Sequence, residues 1–146
     1  MPATISRSNL ENTIAILTLD MPEKGANILS SHVLEELESH LNAIEKEDKL
    51  QGLILCSGKP GTFIAGADLR EFVASLDVDR QQIVSLCRRG RLLFSRLREL
   101  PCVTIAAIDG ICLGGGAELA IACDRRLVSN SPATQFGFPE VKLGLF

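Results

Sequence analysis

The apolar positions of this chain change period several times, and each change marks an element. "TIAILTLD" (13–20) alternates and is rich in β-branched side chains, which predicts a strand. From Ser31 to Glu47 the spacing turns helical: Val33, Leu34, Leu37, Leu41 and Ile44 form one stripe, with acids opposite. His32 and His40 fall off that stripe and are expected to face solvent. "LQGLILCS" (50–57) is a short apolar run bounded by turn residues, hence a buried strand. The stretch "GKPGTFIAGAD" reads as a loop. At its end Asp68 and Glu71 form a D-x-x-E capping box for the helix "LREFVASL". Asp79 and Gln82 repeat the pattern for a longer helix running to Leu100, with Ile83, Cys87, Gly90, Phe94 and Leu97 on its inner face. Pro101 stops it, because the residue before a proline is pushed out of helical geometry.

"CVTIAAID" (102–109) is a strongly apolar strand, of the kind expected in a sheet covered on both faces. A glycine loop, the helix "AELAIACD", the strand "RRLVS" and a polar turn follow. The order strand, helix, strand, helix, helix, strand, helix, strand predicts a single α/β domain over residues 1–146. The closing "FGFPEVKLGLF" is apolar with no polar cap, so the chain is expected to be part of something longer.

Composition removes several classes of function. The 146 residues are 46% hydrophobic and 23% charged, as in an ordinary globular domain. Aromatics are only 4%, with no Trp or Tyr, so platforms for stacking single-stranded nucleic acid are missing. A formal charge of -3 also argues against a polyphosphate binder. The five cysteines are odd in number and form no CxxC pair, which predicts reduced, buried thiols in a reducing compartment. Cys112, beside the glycines, has no nearby His to make it a nucleophile. The start "MPATISRSNLENT" has no apolar core for a secretion signal, and no apolar run approaches a membrane span. A soluble, intracellular protein is expected.

Candidate chemistry sits in "GICLGGGAELAIACD" (110–124), where three glycines run into a helix whose first turn carries Glu118. A dinucleotide site would need G-x-G-x-x-G, which is absent, and Glu118 would repel a phosphate at the helix start. "SGKPG" likewise lacks the features of a Walker loop. Bare N–H groups beside a carboxylate suit other chemistry, in which they hold a developing oxyanion while the acid moves a proton. That would serve a carbonyl compound passing through an enolate. Equally, the glycines could permit tight helix–sheet packing, with Glu118 a favourable first-turn acid. "FIAGAD" (63–68) places small residues before a second helix start and could supply another donor. A second acid, Glu140, follows Pro139 in "FPEVKLG".

These motifs, "FIAGADL", "AAIDGICLGGGAELAIACD" and "FGFPEVKLG", resemble the crotonase superfamily of enoyl-CoA hydratases and isomerases, over nearly the whole chain from "TIAILTLD" onward. Within it, "SGKPGTFIAGADL" with "GICLGGGAE" is most similar to the N-terminal hydratase domains of multifunctional fatty-acid oxidation α subunits. The resemblance implies a ββα spiral, here incomplete at its C-terminal end, because family members continue past "KLG". It implies that the Ala67 and Gly115 N–H groups form the oxyanion hole, and that Glu118 and Glu140 hold and activate water for addition to a 2-enoyl-CoA. Backbone groups at Ala65, Ala67 and Leu69 would meet the adenine of coenzyme A and Arg70 a phosphate, with Gly114 completing the substrate contacts. Asp68 is read as an N-cap.

No metal or separate cofactor is implied, since coenzyme A belongs to the substrate. Partners implied are the acyl-CoA thioester and, at full length, a trimer-type homo-oligomer or a larger fatty-acid oxidation complex, with no nucleic acid. The compartment would be bacterial cytoplasm, mitochondrial matrix or peroxisome. Related isomerases use the acid at the Glu140 position alone, so isomerisation or another crotonase reaction is the alternative. A catalytically inactive fragment that binds CoA esters is a third.

Overall fold

A computed structural model gives the fold and describes residues 2–22, 24–75 and 80–144. Two sheets form its frame. The larger has five strands: β1 (Ile5–Leu10), β2 (Ile14–Leu19), β3 (Gly52–Ser57), β5 (Val103–Ile108) and β7 (Arg125–Val128), side by side in that order. β1 pairs antiparallel with β2 and every later pair is parallel. The smaller sheet places β6 (Ile111–Leu113) between β4 (Thr62–Ile64) and β8 (Gln135–Gly137), all parallel. Parallel neighbours need long crossovers, and helices supply them: α1 (Ser31–Ile44), α2 (Leu69–Ser75), α3 (Arg80–Glu99) and α4 (Gly115–Ala122), with a 3₁₀ turn at Pro139–Leu143. This is the α/β architecture that the apolar pattern predicts.

The periodicities become burial as expected in β2 and α1. Ala15, Leu17 and Leu19 are buried while Ile14, Ile16 and Thr18 are half-buried, and Val33, Leu37, Leu41 and Ile44 form the inner face of α1. The acids on its outer face meet arginines of α3, with Arg89 2.7 Å from Glu38 and Arg96 2.9 Å from Glu45. The two helices are thus in register and run the same way.

Other expectations are corrected. The N-terminal residues form β1, and β4, β6 and β8 lie in stretches that read as loop or turn, because three-residue strands are too short to show a period. β5 is buried at Thr104, Ala106 and Ile108 but open at Val103, so it is not covered on both faces. Among the described side chains of α3, Leu97 and Phe94 of the expected stripe pack against the core together with Leu93, whereas Cys87 is exposed; the Ile83 side chain lies outside the described ones. Both histidines are half-buried rather than open to solvent: His32 lies 2.9 Å from Glu36, and His40 Nε2 lies 3.3 Å from the Ile5 carbonyl. The capping box at Asp68 is half formed. Asp68 Oδ1 accepts from the Arg70 and Glu71 N–H groups, but Glu71 reaches away to Ser31 instead of back to Asp68. The Asp79 cap and the Leu145–Phe146 ending lie outside the described residues.

Glu36 ties α1 to the edge of the large sheet. Its Oε2 accepts from the Thr4 N–H at 2.8 Å, the Thr4 hydroxyl at 2.9 Å and the Ile5 N–H at 2.7 Å. Burial alone would raise its pKa, but these hydrogen bonds outweigh it and hold the carboxyl below its ordinary value. A carboxyl depressed by folding stabilises the protein above its unfolded pKa of about 4.3 and loses that contribution as pH falls through the lower folded value. Glu36→Gln should therefore lose about 2 kcal/mol at pH 7, the usual worth of hydrogen bonds to a charged group. In urea unfolding curves its deficit against the parent should shrink steadily below about pH 4. A deficit that stays constant from neutral pH into that acid range would contradict this.

Candidate active site

The three glycines before α4 each meet a different constraint. Gly114 has φ +52°, a left-handed conformation that L side chains rarely adopt, and its N–H donates to the Gly137 carbonyl of β8 at 2.9 Å. Gly116 packs against β4 so closely that an added methyl would stand 2.6 Å from the Ile64 carbonyl oxygen. Gly115 begins the helix, so its N–H has no acceptor within it. The Gly114 carbonyl accepts from the Glu118 N–H at 3.0 Å, along the helix. In a trans peptide the N–H points opposite to the carbonyl, so the Gly115 N–H points out of the helix start. The packing reading holds at Gly116, and at Gly115 the helix start leaves an N–H that points outward.

The same logic applies at Ala67. Leu29 bridges this loop in parallel fashion: its N–H donates to the Gly66 carbonyl at 2.8 Å, and its carbonyl accepts from the Asp68 N–H at 3.0 Å. The Gly66 carbonyl is turned toward Leu29, so the Ala67 N–H faces the other way. The Leu29 side chain reaches the second donor, since a methyl at Gly115 would lie 3.0 Å from its Cδ1. One residue therefore touches both stretches, through its backbone at Gly66–Asp68 and through its side chain at Gly115. Glu71 adds a further tie by accepting from the Ser31 N–H and hydroxyl, at 2.9 and 2.8 Å, at the start of α1.

These groups open onto a cavity of about 700 Å³, a volume usual for small-molecule sites. Ala67, Gly115 and Glu118 line it, together with Leu29, Leu34, Phe94, Ile121 and Phe138, so its wall is mostly apolar. Glu140 comes close to the glycines at Gly114. The turn that follows β8 carries it there, and its Oε1 would stand 3.3 Å from a methyl on Gly114, as Glu118 Oε2 would stand 3.9 Å from one on Gly115. Two carboxylates thus lie close to two consecutive glycines. Glu118 is exposed to the cavity, whereas Glu140 Oε2 is shut away from solvent with no hydrogen-bond partner among the described residues. A buried carboxylate oxygen in that state calls for a donor from water or ligand.

Of the predicted site residues, Ala67, Gly115 and Glu118 line this cavity, whereas Ala65, Leu69, Arg70, Gly114 and Glu140 do not. Ala65 commits its N–H to the Asn27 backbone carbonyl at 2.8 Å, while Leu69 and Arg70 are exposed beyond the rim, at the start of α2. Leu29, Ser31 and Glu71 carry no functional mark in the sequence because their work is done across long sequence separations. Leu29 gives a faint signal, as an apolar residue four places before the α1 stripe, and Glu71 is marked only for capping.

The cysteines divide by environment rather than sharing one. Burial pushes the Cys112 thiol up to about 11 and the Cys123 thiol up to about 12, so both are inert at neutral pH. Cys102 is buried and also raised, by desolvation first and by Asp124 second. Cys56 is half-buried and Cys87 is exposed on the cavity wall, against the expectation of five buried thiols. In the folded protein near neutral pH, a maleimide should therefore label Cys87 first and spare Cys112 and Cys123, as peptide mass mapping would show. A compound that fills the cavity should slow the Cys87 reaction.

Comparison with known proteins places the chain in a family. Residues 9–146 match the family model described as enoyl-CoA hydratase/isomerase. The chain is 42% identical over 136 residues to the fatty acid oxidation complex subunit alpha of Idiomarina loihiensis, covering 92% of this chain and 19% of that protein. It spans about a fifth of the length of the curated relatives it matches. Among solved structures, enoyl-CoA hydratase from Bacillus anthracis superposes with a TM-score of 0.84 at 31% identity, over 98% of this chain and 53% of that one. AtuE of Pseudomonas aeruginosa superposes with a TM-score of 0.88 at 26% identity, over 99% and 54%. The fold is the crotonase fold, of which this chain spans about half, and the chain belongs to the enoyl-CoA hydratase/isomerase family.

Proposed function

We propose that the protein carrying this chain hydrates 2-trans-enoyl-CoA thioesters to 3-hydroxyacyl-CoA, as a step of fatty-acid β-oxidation. The observation that carries the reading is the pair of carboxylates close to the consecutive residues Gly114 and Gly115, next to an outward-pointing helix N–H. The thioester carbonyl accepts hydrogen bonds from the Ala67 and Gly115 N–H groups, which stabilise negative charge as it develops on oxygen. Glu118 and Glu140 hold one water. The oxygen of that water bonds to C3 while the π electrons shift toward C2 and the thioester, giving the enolate. A proton originating from the same water, passed by a carboxylate, then completes C2, so one water adds and nothing leaves. The apolar wall receives the acyl group. Coenzyme A enters as part of the substrate, and the rim at Ala65, Leu69 and Arg70 is its expected neighbourhood.

A specific observation keeps isomerisation as the second reading. Glu140 is the secluded acid and Glu118 the open one, and a proton transfer between C2 and C4 needs one acid, not a held water. Assembly as a homo-oligomer or within a fatty-acid oxidation complex follows from the same reading, and so does a reaction that needs no metal or separate cofactor.

Two substitutions separate the roles. Glu140→Gln should abolish both hydration of crotonyl-CoA and isomerisation of a 3-enoyl-CoA. Glu118→Gln should lose hydration but retain measurable isomerisation. Equal activity in both variants and the parent would sink the assignment. The oxyanion donor has its own test, because proline is tolerated at the first position of a helix but has no N–H. Gly115→Pro should lower kcat by about 100-fold, the usual effect of deleting one such donor. A folded, fully active Gly115→Pro would rule that donor out.

A further inference from the structure

A glycine inside a helix lowers its stability and usually has a local reason. Gly90 lies in the middle of α3 and has neither of the usual ones. Its φ is not in the left-handed region, and among the described residues no atom lies within 4 Å of where a Cβ would stand. Backbone strain and close packing therefore both fail to explain it. What Gly90 does face is the cavity that holds Gly115 and Glu118. Cys87 and Phe94, three and four residues away on the same helical face, line it as well, and Leu34 of α1 stands with them. Between Cys87 and Arg98 the α3 wall extends about 16 Å, long enough to border an extended chain. The glycine is a gap in that wall.

We propose that Gly90 sets the length of acyl chain the cavity admits, the ligand class being long-chain fatty acyl-CoA thioesters. The inference rests on the hydratase reading for its substrate. A larger side chain at Gly90 would take up open space on the wall that Gly90 shares with Leu34 and Phe94, and so shorten the space open to the acyl tail. On this proposal short acyl groups end before Gly90, so the effect of substitution grows with chain length. A hydrophobic pocket discriminates by roughly ten-fold or more for each methylene that no longer fits.

The test is a size series, Gly90→Ala, Gly90→Val and Gly90→Leu, made in the full chain that carries this sequence. The readout is the ratio of kcat/KM for 2-hexadecenoyl-CoA to that for crotonyl-CoA, with the ratio of Kd values for palmitoyl-CoA and butyryl-CoA measured beside it. The expected result is a long-to-short ratio that falls in order of side-chain size, by about ten-fold or more at leucine. Gly90→Ala adds a methyl into open space and favours the helix, so it must fold; if the leucine variant does not, valine decides. Ratios that stay level across the folded variants, in both turnover and binding, overturn the proposal. Discrimination in binding with no turnover by the parent would sink the hydratase reading alone. Turnover with level ratios would sink Gly90 alone.

Discussion

The side-chain amide of Asn27, fully buried, is the interaction on which the rest of the site depends. Its Oδ1 accepts from the Met21 N–H at 3.0 Å, and its Nδ2 donates to the carbonyls of Leu19 and Phe63 and to the Ser57 hydroxyl, at 2.9, 3.2 and 2.9 Å. Its backbone carbonyl takes the Ala65 N–H. One residue thereby joins the ends of β2, β3 and β4 to the loop that presents Ala67. A buried amide that meets all its partners fixes geometry strongly, because every alternative arrangement leaves a polar group unpaired. Leu29, two residues on, links that fixed point to the stretches that carry the two candidate oxyanion donors.

How much of this is legible in the sequence depends on the range of each interaction. The stripe of α1, the apolar runs of β2 and β3 and the end of α3 at Pro101 are local patterns, and the chain carries them openly. β4, β6 and β8 are three residues each and exist because they pair with one another, so no local period announces them. Asn27 sits in a stretch that reads only as a turn, yet it bonds to residues 30 and 36 positions away. Glu71 satisfies a capping pattern and then uses its carboxylate elsewhere, at Ser31. Cys87 and Gly90 have the right spacing for a buried face and instead face the cavity. Periodicity tells which side of a helix is special but not whether that side meets core or an open space.

The motif residues fare differently for a physical reason. A triple glycine before a helix with an acid in its first turn is locally costly, so it signals constraint even when the constraint is unidentified. The structure divides the constraint among the three: a left-handed turn at Gly114, an outward N–H at Gly115 and contact with Ile64 at Gly116. Replacing any one would disturb a different thing, which is why the run cannot be shortened to a single flexible residue.

The two acids are held by unlike means, and this bears on what each can do. Glu118 stands on the first turn of a regular helix, so its backbone position follows from the helix itself. Glu140 depends on a strand pairing. β8 meets β6 through Ile111↔Gln135, Cys112↔Phe136 and Leu113↔Gly137, and the Gly114 N–H closes onto the Gly137 carbonyl at 2.9 Å. A slip of one residue in that register would turn every β8 side chain to the other face. Pro139 then fixes the direction of the turn at its first position, and Glu140 arrives with one oxygen secluded beside Gly114. The glycine loop therefore carries the candidate donor and is also the surface against which the second acid is placed. Moving the loop would misplace the Gly115 N–H and that carboxylate together, so the candidate donor and the second candidate acid are set by a single stretch of backbone.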